Sequence, residues 1–344
     1  MSESRSERRA RQLKEFNEFG QTSLAPVPEV PRNPVSVSCE GPGPAVVEPA
    51  VDDVDLAGWC ATETDSVRSL LHTHGAILFR GFRPPGSELF QRFFATVCPE
   101  SMDYQDRSSP RSVVGDRLYT STDHPADQTI AMHSELSYSA SWPTLLAFYS
   151  DKAADTGGET PIADTRAVLR NLSDPTRERF IRLGVRYRRE LRTGVGLSWQ
   201  EVLGTQSRDE AEQTCRELGM RYEWIEDGLR IEWSRPAVRR HHSTGEQVWF
   251  NHASFFHAES VEAGLADALE AAEMSPFTTA FGDGSPITSE VVTEIRSAYE
   301  QALVVRPWAT GDILLLDNML MAHGRLPYEG ARRLLVMMGG PAAP

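Results

Sequence analysis

From Ile130 onward the chain breaks into short apolar runs separated by glycine, proline and polar clusters, and this texture restricts the fold more than any other feature. Residues 144–149, 247–251, 313–316 and 334–338 have the length and composition of strands. Helical spacing fills the intervals, at 165–183, 209–218, 261–274 and 289–303. Upstream, 56–74 carries apolar residues at helical spacing. Ala76-Ile77-Leu78-Phe79 then reads as a buried strand closing on Arg80-Gly81-Phe82, and 87–97 as a second helix. Strands at both ends with helices between them predict an α+β fold, a β-barrel or sandwich carrying helical insertions and N-terminal helices.

Before this core, residues 1–24 are polar and 25–50 are crowded with prolines. The expectation is an N-terminal arm and a Pro-rich strap over 1–50, then one domain over 51–344 with lid insertions near 190–235 and 257–300. The formal net charge of −14 excludes a general binder of nucleic acid or of an anionic membrane surface. Cys39, Cys60, Cys98 and Cys215 are scattered, with no C-x-x-C pair, which predicts thiols in a reducing compartment. No run approaches the roughly 18–20 apolar residues of a membrane helix, and the first residues lack the apolar stretch of a secretory signal. The expected location is the cytoplasm.

The chemistry concentrates around T-I-A-M-H-S-E-L-S-Y-S, which holds His133 and Glu135. On a strand, residues two apart face the same way, so this pair can reach one metal ion; on a helix it would diverge. His257-Ala258-Glu259 has the same spacing but sits in an aromatic turn leading into a helical pattern, so the first pair is preferred. Downstream, Gly157-Gly158 makes a tight turn that delivers Glu159-Thr160 onto a new strand, where a Thr hydroxyl can donate to an anion. His323 follows the buried run 313–316 and completes a two-His-one-carboxylate set with open metal positions. Arg332 and Arg333 begin the last strand, where a guanidinium can grip a carboxylate bidentately.

The run H-S-E-L-S-Y-S…W-P…F-Y…G-G-E-T-P-I-A-D, then R-P-A-V…T-G-E-Q-V-W-F-N, G-D-G-S-P-I, G-D-I-L-L-L-D-N and A-H-G-R-L-P-Y-E-G-A-R-R, resembles the TauD/TfdA-like family of Fe(II)/2-oxoglutarate oxygenases. Within it the chain is most similar to the SyrP-like and clavaminate-synthase-like branches, which act on amino acids in secondary metabolism. The likeness covers roughly residues 56–340, with the motifs in family order. It implies a double-stranded β-helix (jelly-roll) core and the use of Fe(II), 2-oxoglutarate and O2. It also implies iron ligation by His133, Glu135 and His323, and 2-oxoglutarate carboxylate binding by Thr160 and Arg333. Arg332 and Arg333 face opposite ways on a strand, and Arg333 is preferred. Two departures bear on activity. Ser134 stands where near relatives often have Asn. The carboxylate is Glu135 rather than Asp, which discounts simple sulfonate degradation, and its presence argues against halogenation.

The activity expected from this resemblance is hydroxylation of an unactivated C–H bond of an amino acid or amino-acid-derived intermediate, free or tethered to an acyl or peptidyl carrier protein. The same oxidant could instead desaturate, cyclise or epimerise. Outside the family, His2Glu also suits a zinc hydrolase, which would leave Thr160 and Arg333 without a role; a non-catalytic barrel fits an intact triad poorly. Gln128, Tyr138 and Asn251 are the candidate substrate contacts, Tyr138 only if the chain bends at Ser137. Arg186, Arg188, Arg189 and Arg192 form a basic cluster that is either a solvated face or a surface for an acidic carrier. Trp199, Trp224 and Trp233 read as packing.

Overall fold

Ile313–Asp317 is buried at every position. In the computed structural model this strand lies between Ala76–Phe79 and Trp142–Lys152, antiparallel to both, and both its faces are covered, so the run reads as continuously apolar. The structure describes residues 33–39, 41–83, 86–102, 113–115, 117–120, 124–192, 197–260 and 277–343. Around Ile313–Asp317 stands an eight-stranded sheet in the order Val35–Ser38, Ala45–Pro49, Ala76–Phe79, Ile313–Asp317, Trp142–Lys152, Arg333–Ala342, Leu118–Thr120 and Val113–Gly115. A second sheet orders Leu303–Val304, Ile162–Asp164, Met321–Arg325 and Ile130–His133. One apolar cluster joins them: Leu78, Phe148, Leu314 and Val336 of the large sheet meet Ile162 and Met321 of the small one. The opposite face of the large sheet, including Ile77, Leu315 and Met337, packs against Trp59, Phe90 and Phe93 of the N-terminal helices.

Those helices are Leu56–Thr62, Thr64–His74 and Ser87–Val97, the first two dividing the span expected to be one. Gly75 ends Thr64–His74 at φ 71°, and a Cβ there would come within 2.7 Å of Met321, so the turn into Ala76–Phe79 requires glycine. The span 165–183 also splits, into Thr165–Asn171 and Asp174–Leu183, because Pro175 opens a new helix at its first turn.

Three expectations change. The compact unit begins at Val35 rather than Val51. The later part of the expected strap is a β-hairpin, Val35–Ser38 with Ala45–Pro49, whose second strand pairs parallel with Ala76–Phe79 and buries Ala45 and Val47. The earlier arm lies outside the described residues. The region expected as a lid near 190–235 contributes to a separate four-stranded sheet, Arg221–Ile225, Gly228–Arg235, Val185–Arg192 and Phe277–Phe281. In Val185–Arg192 the inward positions are Val185, Tyr187, Arg189 and Leu191, and the guanidinium among them hides the two-residue alternation. Residues 261–276 of the other expected lid lie outside the described residues, while its last part, Ser289–Gln301, is a core helix burying Val292, Ile295 and Tyr299. Among the described residues no helix is long and apolar enough to cross a membrane, and all four cysteines are unbridged.

Candidate metal and co-substrate site

His133 ends the strand Ile130–His133 and lies directly opposite His323 of Met321–Arg325. Opposed residues of an antiparallel pair share a face, and the two imidazole centroids are 4.4 Å apart. Glu135 does not reach them by strand alternation, because the strand stops at His133. The chain turns there, with Leu136 at φ 53° and Ser137 and Ser139 N–H groups donating to Ser134 and Leu136 carbonyls. This turn, rather than the two-residue repeat, presents the carboxylate. One ligand atom from each of His133, Glu135 and His323 lies within 4.8 Å of the others. His133 Nδ1 is 2.9 Å from the Ala131 carbonyl, which can only accept, so the proton sits on Nδ1 and Nε2 keeps its lone pair for a metal. Two imidazoles and a buried carboxylate at this separation suit a divalent transition metal with open coordination positions.

Thr160 stands just before the strand that pairs with the His323 strand. Gly157 and Gly158 have φ 70° and 72°, and a Cβ on Gly157 would lie 2.2 Å from the Pro327 oxygen. The turn leads into Ile162–Asp164, where Ile162 is opposite His323. Thr160, two residues earlier, is buried and accepts a hydrogen bond from Trp308 Nε1 at 3.2 Å, leaving its own hydroxyl proton to donate.

The structure gives Arg332 and Arg333, of which Arg333 is the expected carboxylate binder, different surroundings. Val336 and Met338 face the cluster between the sheets, whereas Leu335 and Met337 face the helices. Arg332 lies just before the strand Arg333–Ala342, whose pairing shifts register between Arg333 and Leu334, so the two arginines are placed by their contacts rather than by alternation. Arg333 is about half exposed and pairs with Asp151 at 3.0 Å. Arg332 donates from Nε to the Gly158 carbonyl at 2.9 Å and lies 5.3 Å from the Tyr328 ring. Arg325, buried, lies 5.3 Å from the same ring and donates to the carbonyls of His124, Pro125 and Gln128. Burial, and then the charge of Arg325, pulls the Arg332 pKa down to about 10. A carboxylate brought to this point would offset both effects by favouring the charged guanidinium. Residues 334–338 are buried on both faces, so the sequence alone offers no phase from which to choose between the arginines.

Of the candidate substrate contacts, Asn251 is a scaffold residue: its amide donates to the Ala237 carbonyl and accepts from Ala253 N–H, each at 2.9 Å. Gln128 is half-buried at the turn gripped by Arg325. Tyr138 is carried inward by the bend after Glu135 and is buried against His252, 4.8 Å between centroids, and Phe256, 5.0 Å. Sequence reasoning missed His252 and Phe255, whose rings lie 5.7 and 4.8 Å from that of His133. His252 Nδ1 is 2.7 Å from Ser137 Oγ, and burial, with His133 nearby, holds its pKa well below the ordinary histidine value. Its position beside Asn251 in N-H-A-S-F-F was the one available hint. His257 is bound to the Ile287 carbonyl and the Glu259 N–H, outside the metal set. Trp199 packs on Trp224 and Trp233 on Tyr187.

The family described as taurine catabolism dioxygenase TauD, TfdA family matches residues 41–339. The chain is 38% identical over 282 residues to the dapdiamide synthesis protein DdaC of Enterobacter agglomerans, covering 81% of this chain and 86% of that one. It is 30% identical over 316 residues to a clavaminate synthase-like protein of Arabidopsis thaliana, covering 86% and 93%. Among solved structures it is similar in fold to PvcB, described as an Fe, alpha-ketoglutarate dependent oxygenase from an isonitrile synthetic pathway (TM-score 0.54, 17% identity, 90% and 92% covered). It is likewise similar to AAD-2 in complex with Mn(II) and N-oxalylglycine (TM-score 0.53, 15% identity, 90% and 98% covered). The chain thus belongs to the TauD/TfdA family and is an Fe(II)/2-oxoglutarate-dependent dioxygenase, with Fe(II), 2-oxoglutarate and O2 as its cofactor and co-substrates.

Proposed function

We propose that this enzyme hydroxylates an unactivated C–H bond of an amino acid or amino-acid-derived intermediate, free or carrier-tethered, in natural-product biosynthesis, on a double-stranded β-helix scaffold. The observation that carries the reading is the convergence of His133, Glu135 and His323 within 4.8 Å, in a chain 38% identical to a dapdiamide synthesis protein. These three side chains would hold Fe(II) and leave three positions open. Bound there, the metal supplies O2 activation coupled to decarboxylation of 2-oxoglutarate: 2-oxoglutarate, O2 and R–H become succinate, CO2 and R–OH.

The protein contributes binding, orientation and exclusion of water. Ala131 fixes the tautomer and tilt of His133 through Nδ1. Arg332 would grip the distal carboxylate of 2-oxoglutarate, and the Thr160 hydroxyl would donate to it while Trp308 holds its oxygen. Phe255 and the neutral, Ser137-bound His252 line one side of the metal position, forming an aromatic wall against which a substrate carbon can be held. The arginines of 186–192 do not support an acidic carrier docking on them, because Arg188 and Arg192 pair with Glu190, Arg186 donates to the Gly282 carbonyl, and Arg189 is buried over the Phe277 ring.

Succinate release is the test, measured with free amino acids and then with aminoacyl-carrier conjugates, Fe(II) and 2-oxoglutarate being supplied. A substrate that stimulates succinate and gains one oxygen atom supports hydroxylation. Loss of two hydrogens, ring closure or inversion without oxygen gain would replace it with the corresponding oxidation. Hydrolysis with Zn(II), and no 2-oxoglutarate consumption, would overturn the reading.

A further inference from the structure

Glu135 stands in a turn, outside the strand ladder, yet both polar groups of its backbone are held by one side chain. Its N–H donates to Asn318 Oδ1 at 2.8 Å, and Asn318 Nδ2 donates to its carbonyl at 2.9 Å and to the Pro143 carbonyl at 2.8 Å. Asn318 is fully buried. Its oxygen and both its N–H groups are engaged, and the opposite amide orientation would set donor against donor at Glu135 N–H, so the network fixes the side chain. The preceding residue builds the other half of the device. Asp317 Oδ1 accepts from Met319 and Leu320 N–H at 3.0 and 3.1 Å, while Oδ2 lies 2.9 Å from His241 Nε2. These bonds shape the turn that launches Met321–Arg325, the strand that carries His323.

Building on the proposed iron site, we infer that Asp317–Asn318 is its positioning element: Asn318 sets where the Glu135 carboxylate stands, and Asp317 sets the departure of the His323 strand. Two ligands far apart in sequence thereby share one rigid dipeptide. Asn318 touches neither metal nor substrate; it acts through Glu135. Removing its side chain leaves the Glu135 peptide buried without these bonds and free to rotate its carboxylate off the two imidazoles.

The experiment is Mn(II) titration of the full-length protein, followed by electron paramagnetic resonance, for the unaltered chain, Asn318→Ala, Asn318→Asp and Asn171→Ala. Asn171 donates to the Ala298 carbonyl away from the site, in a part-buried bond, and controls for loss of an asparagine hydrogen bond. Asn318→Ala is expected to weaken Mn(II) roughly tenfold to a hundredfold and to shift the visible charge-transfer band of the Fe(II)–2-oxoglutarate complex. Asn318→Asp keeps the acceptor for Glu135 N–H but sets a carboxylate oxygen against the Glu135 and Pro143 carbonyls, so it should lose at least as much of both, and Asn171→Ala should leave both unchanged. A folded Asn318→Ala protein that binds Mn(II) like the unaltered chain would overturn the inference alone; absence of Mn(II) binding in the unaltered chain would overturn the iron site and the inference with it. If the Asn318 variants do not fold, hydrogen exchange of the Glu135 amide in the unaltered, metal-free protein decides: protection is expected, and exchange at the rate of an open loop overturns the inference.

Discussion

The Glu190 cluster of the four-stranded sheet around Val185–Arg192 and the inner site near Tyr328 both gather arginines, and they treat them in opposite ways. In the outer sheet Glu190 accepts from Arg188, Arg192 and Arg230 at 2.7–3.0 Å, and Arg230 and Arg192 reach on to Glu223 and Asp227. Burial raises the Glu190 pKa, but three guanidinium groups outweigh it and bring it to about 2. Near Tyr328, Arg325 donates to carbonyl oxygens and Arg332 to the Gly158 carbonyl, and the pKa of each is lowered, first by burial. Charges answered by carboxylates within the fold serve the fold. Arg325 and Arg332, bound to carbonyls and crowded together at the Tyr328 ring, keep their attraction for an anionic guest.

Substitutions can break or sharpen this contrast. The largest effect is expected from His133→Ala, which should bring succinate release to background while leaving the thermal midpoint nearly unchanged; His257→Ala should retain activity. Arg332→Met should raise the KM for 2-oxoglutarate roughly tenfold to a hundredfold, the range of a lost charge-assisted bond, while Arg333→Met leaves it within about twofold. An Arg333 effect as large as that of Arg332 would erase the distinction between their surroundings. Thr160→Val should raise the same KM by about fivefold, one neutral-donor hydrogen bond.

The smallest effect should come from the outer sheet and appear in stability, not turnover. The lowered Glu190 pKa contributes stability that is fully present above the ordinary carboxylate range and lost as pH falls from there toward 2. Glu190→Gln should therefore cost roughly 1–2 kcal/mol at neutral pH, discounted because Arg188 and Arg192 meet solvent. It should also flatten the loss of stability below about pH 4.5, as read by denaturant melts across pH. Loss of activity without loss of stability in that variant would contradict the division between the regions.

Much of the site was legible because its elements are local. The H-x-E pair, the Gly-Gly turn before Thr160 and the apolar run before His323 each announce themselves in a few residues, and their order carried the family. Local pattern failed where burial removes the pattern. Residues 334–338 are apolar on both faces, so nothing told Arg332 from Arg333. Arg189 occupies an inward strand position, so a sheet strand looked like a charged insertion. Asn318 and His252 looked like ordinary polar residues after buried runs; only their neighbours across the fold give them a role.

What the sequence determined by itself was which donor atoms the chain possesses and which backbone turns its glycines permit, since both follow from chemistry within a few bonds. Tertiary structure alone decided which face each strand turns inward, how Glu135 is held once its strand has ended, and how differently Arg332 and Arg333 are surrounded. Those outcomes depend on packing between segments far apart in the chain, and short-range propensity carries no record of such contacts.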